Sequence, residues 1–562
     1  MNLVLLFLIL PVLGQLPLPN PPYLPPDAST GASPSSGWNT LLGNLLYFYD
    51  AQRSGQLQTN RVSWRNSSAL NDGKDVGLDL TGGYYDAGDF IKATYPLSFT
   101  LMSICWGAAD FGAGYDMANQ TAYLDSMLRW GLDWLIKAHP APSTLYVLVG
   151  NTDTDDAYWG GDQNIPANRP SYAINDTHPG TDAAAGAAAA FAACSALYSN
   201  RGFNGSYAKP ASLSNATYAQ TLLTHAEQLY TFAVNATGGQ KTYQSSVAQV
   251  AASYGSSSFG DELTMAALFV SWANSSTQYS QEAQHYFQQY QLSGQNDVFN
   301  WDSKTPGVYV LFAQIAQATG GNLTAWQAEC ERYFDAIVNN QGPAFLTQDG
   351  LLYYTGDSDD ASLNPALNAA MLLTRYAPMA STSERRDSYQ KFAQSQLDYV
   401  LGDNSMSVPY VVGSNPNSPS NPHSAMASGG NDIGNIDTSP VQEAYVLYGA
   451  VVGGPDKRGK FYDIRSDWPE TEVALDYNAP LLTLAAMHVL NDTSDPFYTT
   501  LQAGAYDKVR PAGQPCDNAI SAGCGSSGLP RPALIAIAVI LSVVGAFILG
   551  LLLWYIWSLL RA

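Results

Sequence analysis

Between Asp182 and Tyr198 the chain reads DAAAGAAAAFAACSALY, so rich in alanine that a helix is the only regular structure it favours. The run has no polar face. A helix that is apolar all round has to be enclosed by other elements, and the chain supplies them. Tyr123, Met127, Trp130 and Trp134 fall at i, i+4, i+7 and i+11, the spacing of one helical face. Leu263, Ala266, Ala267 and Val270 repeat it, as do Tyr389, Phe392, Ala393, Leu397 and Val400. Tyr218 to Val234 carries Leu222, Ala226, Leu229 and Ala233 on one side. Between these helices lie long loops rich in Gly, Asn, Asp and aromatics, and long loops inside one compact domain usually carry function. No segment repeats at a fixed period. The pattern predicts a large all-α domain with its site built from loops.

The ends read differently. Residues 1–14 form a short apolar run resembling a secretory signal, although its start lacks a positive charge. Residues 15–36 are a Pro-rich linker, 37–495 have the even composition of one domain, and 496–531 read as a Pro/Gly-bearing stalk. Residues 532–560 are almost uninterruptedly apolar, long enough to cross a bilayer as a C-terminal transmembrane helix. Trp554, Tyr555 and Trp557 lie near its far end, as an interfacial belt would. These features predict a secreted, single-pass type I membrane protein with its domain outside the cell. A lipid (GPI) anchor attached at Gly525, Ser526, Ser527 or Gly528 is the rival arrangement. Asn66, Asn119, Asn175, Asn204, Asn215, Asn235, Asn274, Asn322 and Asn491 each open a glycosylation sequon, in keeping with export. Of the five cysteines, Cys516 and Cys524 are expected to pair, while Cys105, Cys194 and Cys330 read as buried free thiols.

Charge narrows the partners. Asp and Glu total 47 against 25 Lys and Arg, a formal net charge of −22. Such a surface repels nucleic acid and anionic polymers, so a neutral, hydroxyl-rich ligand fits best.

Three segments carry chemistry. Phe461 to Ala479 packs Asp463, Asp467, Glu470, Glu472 and Asp476 among Phe461, Tyr462, Trp468 and Tyr477, with only Arg465 to neutralise them. Crowded carboxylates beside aromatic faces keep one acid protonated near neutrality, and aromatic faces stack on sugars. Asp86 and Asp89 lie three apart in Tyr84-Tyr85-Asp86-Ala87-Gly88-Asp89, where one could accept a proton from water while the other holds that water. His423 follows Pro422. Taken alone, each has a plainer reading: a solvated acidic loop, an Asp-Gly turn and a structural histidine.

The order of further motifs changes those odds. Phe48 to Gly55, Arg61 to Arg65, Leu70 to Asp89 and Trp130-Gly131 through Pro140 come first. Arg169 to Tyr172, Trp301 to Lys304, Leu401 to Asn404 and Tyr448 to Pro455 then lead into Phe461 to Ala479. Over roughly Gly37 to Leu490 this collinear set resembles glycoside hydrolase family 9, the inverting cellulases. The resemblance implies an (α/α)6 barrel with an open groove. It implies Glu472 as general acid, Asp89 as general base, Asp86 as the helper that holds the water, and Asp463 as a supporting acid. It implies His423 and Tyr477 at the sugar, with Trp159 and Trp301 as aromatic platforms. No cofactor is required. Asp261 and Glu262 match a pair that holds a structural calcium in some relatives, and the metal question stays open. Inversion needs acid and base on opposite faces of the sugar, roughly 6.5–9.5 Å apart.

The chain also departs from the family pattern. The arginine after the histidine is lost in His423-Ser424-Ala425, and Asp156 replaces a histidine before Trp159. Asp360, Asn364 and Pro365 stand where a Trp and an Arg-Tyr are usual, and Ser253 and Ser256 where aromatics are expected. The expected function is a tethered, monomeric endo-β-1,4-glucanase acting on cellulose or a related β-glucan. Its rivals are the same chemistry on another β-glycan, and a weak or inactive carbohydrate-binding or wall-associated homologue.

Overall fold

The computed structural model describes residues 35–58, 60–203 and 209–524, together with 554, 556, 557 and 559–561. Twelve principal helices organise it. They are α1 (Ser36–Ala51), α2 (Thr94–Met117), α3 (Thr121–Ala138), α4 (Thr181–Tyr198), α5 (Ala216–Asn235) and α6 (Gly260–Asn274). They continue with α7 (Thr277–Gln289), α8 (Thr305–Thr319), α9 (Leu323–Val338), α10 (Leu363–Tyr376), α11 (Ser383–Val400) and α12 (Leu475–Asn491).

Their burial sorts them into two layers. Every residue of α4 is buried, and α2, α6, α8, α10 and α12 are buried on almost all sides. These six pack in sequence, α2 on α4, α4 on α6, α6 on α8, α8 on α10, α10 on α12, and α12 back on α2. The ring is closed. Of the other six, α3, α5, α7, α9 and α11 bury one face, α7 only Ala283 and Tyr286, whereas α1 is buried throughout residues 41–51 and still packs outside the ring. Each outer helix backs one inner helix: α3 on α2, α5 on α4, α7 on α6, α9 on α8, α11 on α10 and α1 on α12. This helix-rich domain is consistent with an (α/α)6 barrel. Enclosing a Leu or Phe side chain in such a wall contributes about 1.5–3 kcal/mol, so the alanine-rich α4 gives up side-chain burial for close backbone approach.

Local signals set the outer helices. Ser35, Asn215, Asn322 and Thr382 accept backbone N–H groups as caps of α1, α5, α9 and α11. Gly320 ends α8 in the left-handed conformation. At one pole short turns follow α2, α6 and α8, whereas the opposite pole carries the long segments that lead into the inner helices. A three-stranded antiparallel sheet, β1 (Lys92–Ala93), β2 (Thr144–Val149) and β3 (Ser171–Asn175), and a hairpin, β4 (Ala344–Leu346) with β5 (Leu352–Tyr354), lie within these segments.

Two expectations need correction. Cys105 and Cys194 are not free thiols: they form a disulfide between α2 and α4, with Cα atoms 5.0 Å apart. Both sit on faces buried where neighbouring inner helices meet, so helix packing brings them together across 89 positions. Cys330 is the free, buried thiol. The stalk begins later than position 496, because one compact unit extends to Pro511. Tyr498 and Tyr506 are buried, and the Tyr506 hydroxyl donates to the Phe461 carbonyl at 2.8 Å.

A second unit runs from Ala512 to Ala562 and contains the Cys516–Cys524 disulfide. The expected signal segment, and most of the expected membrane segment 532–560, lie outside the described residues. Among the described residues no helix is long and apolar enough to cross a membrane.

Candidate active site

The segments leading into the inner helices converge on one pole. Asp86 and Asp89 precede α2, Trp159 precedes α4 and Tyr254 precedes α6. Trp301 precedes α8, Asp360 and Asn364 open α10, and Glu472 with Tyr477 open α12.

The loop from Tyr84 to Ile91 is clamped at many points. Gln52 accepts the Tyr85 N–H at 2.9 Å on its backbone carbonyl, and its side-chain amide donates to the Ala87 carbonyl at 2.7 Å. The Asp86 N–H donates to the Ile91 carbonyl at 3.1 Å, closing the loop. The Gly88 carbonyl accepts the Ala425 N–H at 2.8 Å, laying the loop against the His423 segment. A Cβ on Gly88 would sit 2.3 Å from the His423 carbonyl oxygen, so only glycine permits this approach. On the other side of the same contact, His423 and Glu472 form a parallel bridge, and the His423 N–H donates to the Thr471 carbonyl at 2.9 Å. Residues more than 380 positions apart in sequence thus share one site.

Asp86 is buried. Its Oδ2 accepts the Tyr254 hydroxyl at 2.6 Å, while Oδ1 has no protein partner. Burial pushes its pKa up to about 7, against the lowering effect of that hydrogen bond. Burial also raises Glu472, to about 8, with Asp86, Asp476 and Asp156 adding repulsion and the Gly88 N–H opposing the rise. Asp89 is raised by burial and then by the charges of Asp155, Glu472 and Asp156. Like charges confined this closely cannot all ionise, so the protons belong to the cluster. Asp476, raised to about 8 mainly by burial, accepts the Asn364 amide at 2.8 Å.

His423 has a fixed tautomer. Its Nδ1 lies 2.8 Å from the Arg465 carbonyl, which can only accept, so Nδ1 carries the proton and Nε2 is left as an acceptor. Burial lowers its pKa to about 4, keeping the ring neutral above that pH. Arg465 is held in turn by Glu443 and the Ile436 and Pro440 carbonyls.

The other expected site residues separate by position. Tyr477 and Trp301 are half-buried and share a cavity of about 400 Å³ with Asn300, Asp357, Asp360 and Asp476. Trp159 is only 1% exposed, and its ring packs 4.9 Å from the His423 ring, so it backs the histidine rather than presenting an open face. Asp463 stands apart from the carboxylate cluster. Its φ is 53°, and its carboxylate accepts the Ser420 and Asn421 N–H groups and the Ser420 hydroxyl, which holds the turn before His423.

Asp261 and Glu262 are committed elsewhere. Asp261 accepts the Lys304 N–H and the Ser258 hydroxyl, and Glu262 pairs with the Lys304 ammonium at 2.9 Å and the Tyr95 hydroxyl at 2.6 Å. Glu262 already faces a cation, and among the described residues no group of three or more His, Cys, Asp or Glu is arranged to hold a metal ion.

Tyr254 is a site residue that the sequence did not single out. It lies between Ser253 and Ser256, where aromatics were expected, and packs edge-on against Trp301 at 5.7 Å. A tyrosine one position from the expected aromatic was the available signal.

Residues 38–485 match the sequence profile of Glycosyl hydrolase family 9. Endoglucanase A of Bacillus pumilus is 35% identical over 454 residues, covering 78% of this chain; the chain spans 64% of that relative's length. The solved endoglucanase of the termite Nasutitermes takasagoensis superposes with a TM-score of 0.72 at 36% identity, covering 81% of this chain and 99% of that one. A cellulase of C. cellulolyticum solved in complex with cellobiose superposes with a TM-score of 0.69 at 27% identity, over 81% and 99% of the two chains.

Proposed function

Because the chain belongs to glycosyl hydrolase family 9, we propose that it is an endo-β-1,4-glucanase that hydrolyses cellulose or a related β-glucan with inversion. The observation that carries this reading is the contact at Gly88, which places the Asp86–Asp89 loop against the His423–Glu472 bridge. In this reading Glu472, protonated below about pH 8, gives its proton to the leaving glycosidic oxygen. Asp89 takes a proton from water, and Asp86, steadied by Tyr254, holds that water. Neutral His423 accepts a sugar hydroxyl through Nε2. Tyr477 and Trp301 wall the sugar, Trp159 supports His423 from behind, and Asp463 supports the loop that carries it. The named activities of the relatives and the cellobiose complex favour the same substrate class.

Glu472→Gln and Asp89→Asn should each lower reducing-end release from carboxymethylcellulose by about 10²–10⁴-fold while the fold persists. In the parent, kcat should fall as pH rises through about 8, where Glu472 loses its proton. Parent-level activity in Glu472→Gln would end the assignment.

A second reading keeps the chemistry and changes the glycan to a mixed-linkage glucan or glucomannan. The cavity beside Tyr477 favours it, since Asp360, Asn364 and Pro365 line it where the family resemblance led us to expect a Trp and an Arg-Tyr. We further propose that the enzyme acts as a monomer outside the cell, tethered by residues 532–560 or by a lipid anchor; the apolar ends and the sequons support this.

A further inference from the structure

We propose that Asp155 is a positioning residue for Asp89, fixing the peptide units that follow it and placing a negative charge beside it. This rests on Asp89 being the base.

Asp155 belongs to the one-turn helix Thr152–Asp156, which is set by the Asn151 side chain accepting the Thr154 N–H at 2.9 Å. Its carboxylate is buried. One oxygen, Oδ2, accepts the N–H of Phe90 at 3.0 Å and of Ile91 at 2.9 Å, the two peptide units directly after Asp89. The Phe90 carbonyl is taken by Arg169 at 2.8 Å, and Arg169 is itself held bidentately by Asp72. The peptide directly after the base is therefore held at its N–H, the next one, Phe90–Ile91, is gripped on both edges, and the Asp86–Ile91 bond closes the loop in front of them. Rotation of these peptides would swing the Asp89 carboxylate, and a displacement of about 1 Å at a reacting group can cost roughly 10²-fold in rate.

Charge gives Asp155 a second effect. Asp89 faces Asp155 and Asp156 from this short helix and Glu472 from the segment before α12, and all three raise its pKa. Arg169 is the cation that acts on Asp155. Removing the Asp155 charge lowers the pKa of Asp89, so Asp89 stays ionised to lower pH.

Two substitutions separate these effects. Asp155→Asn keeps an oxygen acceptor and loses the charge: the acidic limb of kcat/KM should move to lower pH, with kcat within about fivefold of the parent. Asp155→Ala loses both: the same limb shift should come with kcat lower by roughly 10–100-fold and KM within about twofold. Thermal unfolding of each variant reports folding. An unshifted limb in Asp155→Asn overturns the proposal, and so does parent kcat in folded Asp155→Ala. Asp89→Asn is run alongside: if it remains active, the assignment of the base fails, whereas if it is inactive and the Asp155 variants behave as the parent, only the positioning role fails.

Discussion

The two sides of the groove are built on different terms. Around Asp86 to Ile91 nearly every peptide group is bound: to Gln52, to Asp155, to Arg169, to Ala425 and across the loop itself. Around Trp301 and Tyr477 the wall is a cavity edged by exposed Asp357 and Asp360, and Asn364 is its link to Asp476. Proton transfer slows by roughly 10²-fold when a reacting carboxylate is displaced by about 1 Å, and that side is over-determined. Sugar recognition is a sum of contacts, each of modest size, so it tolerates replacement.

The sharpest way to break this contrast is Gly88→Ala. The added methyl meets the His423 carbonyl 2.3 Å away, and backbone on both sides would have to yield. We expect hydrolysis to drop by about 100-fold or more and stability by about 1–3 kcal/mol, read from initial rates and thermal unfolding. Retained activity would mean that the clamped loop is softer than its hydrogen bonds imply. A smaller loss is expected for Tyr254→Phe, which removes one hydrogen bond to a carboxylate and should cost kcat roughly tenfold. That bond lowers the Asp86 pKa, so its loss raises it. The acidic limb should move to higher pH, opposite to the shift expected for Asp155→Asn. The smallest effect belongs to the other wall. Asp360→Trp should add stacking worth about 0.5–1.5 kcal/mol, altering the ratio of kcat/KM between cello-oligosaccharides and mixed-linkage oligosaccharides a few-fold. A move of either pH limb in that variant would show the two sides to be coupled.

The helices and the acids were legible in the sequence for a shared reason. Alanine content and 3.6-residue spacing are local, and so are Tyr85-Asp86-Ala87-Gly88-Asp89 and the aromatic company of Glu472. What the sequence hid depends on packing. Asp155 reads as one more residue of an acidic run, TDTDD, until the fold turns it toward the Phe90 and Ile91 amides. Cys105 and Cys194 each look like a small apolar residue in a helix, and only the adjacency of α2 and α4 makes them partners. Trp159 has the composition of a sugar platform, but Gly430 and His423 cover it. Asp463 was expected among the acids of the site; its carboxylate is occupied by the turn before His423.

The closed ring places all six inner helices with their amino ends toward the groove. Each such end behaves as roughly half a positive charge, contributed by unpaired amide groups. These peptide dipoles neither titrate nor need a side chain. They supply a standing positive potential of the kind that lysines or arginines would otherwise provide, and they occupy no space where a sugar has to lie. Five acidic groups, Asp86, Asp89, Asp155, Glu472 and Asp476, gather at this pole, all with raised pKa values; the helix ends offset part of whatever charge the shared protons leave, with a counter-field as permanent as the barrel itself.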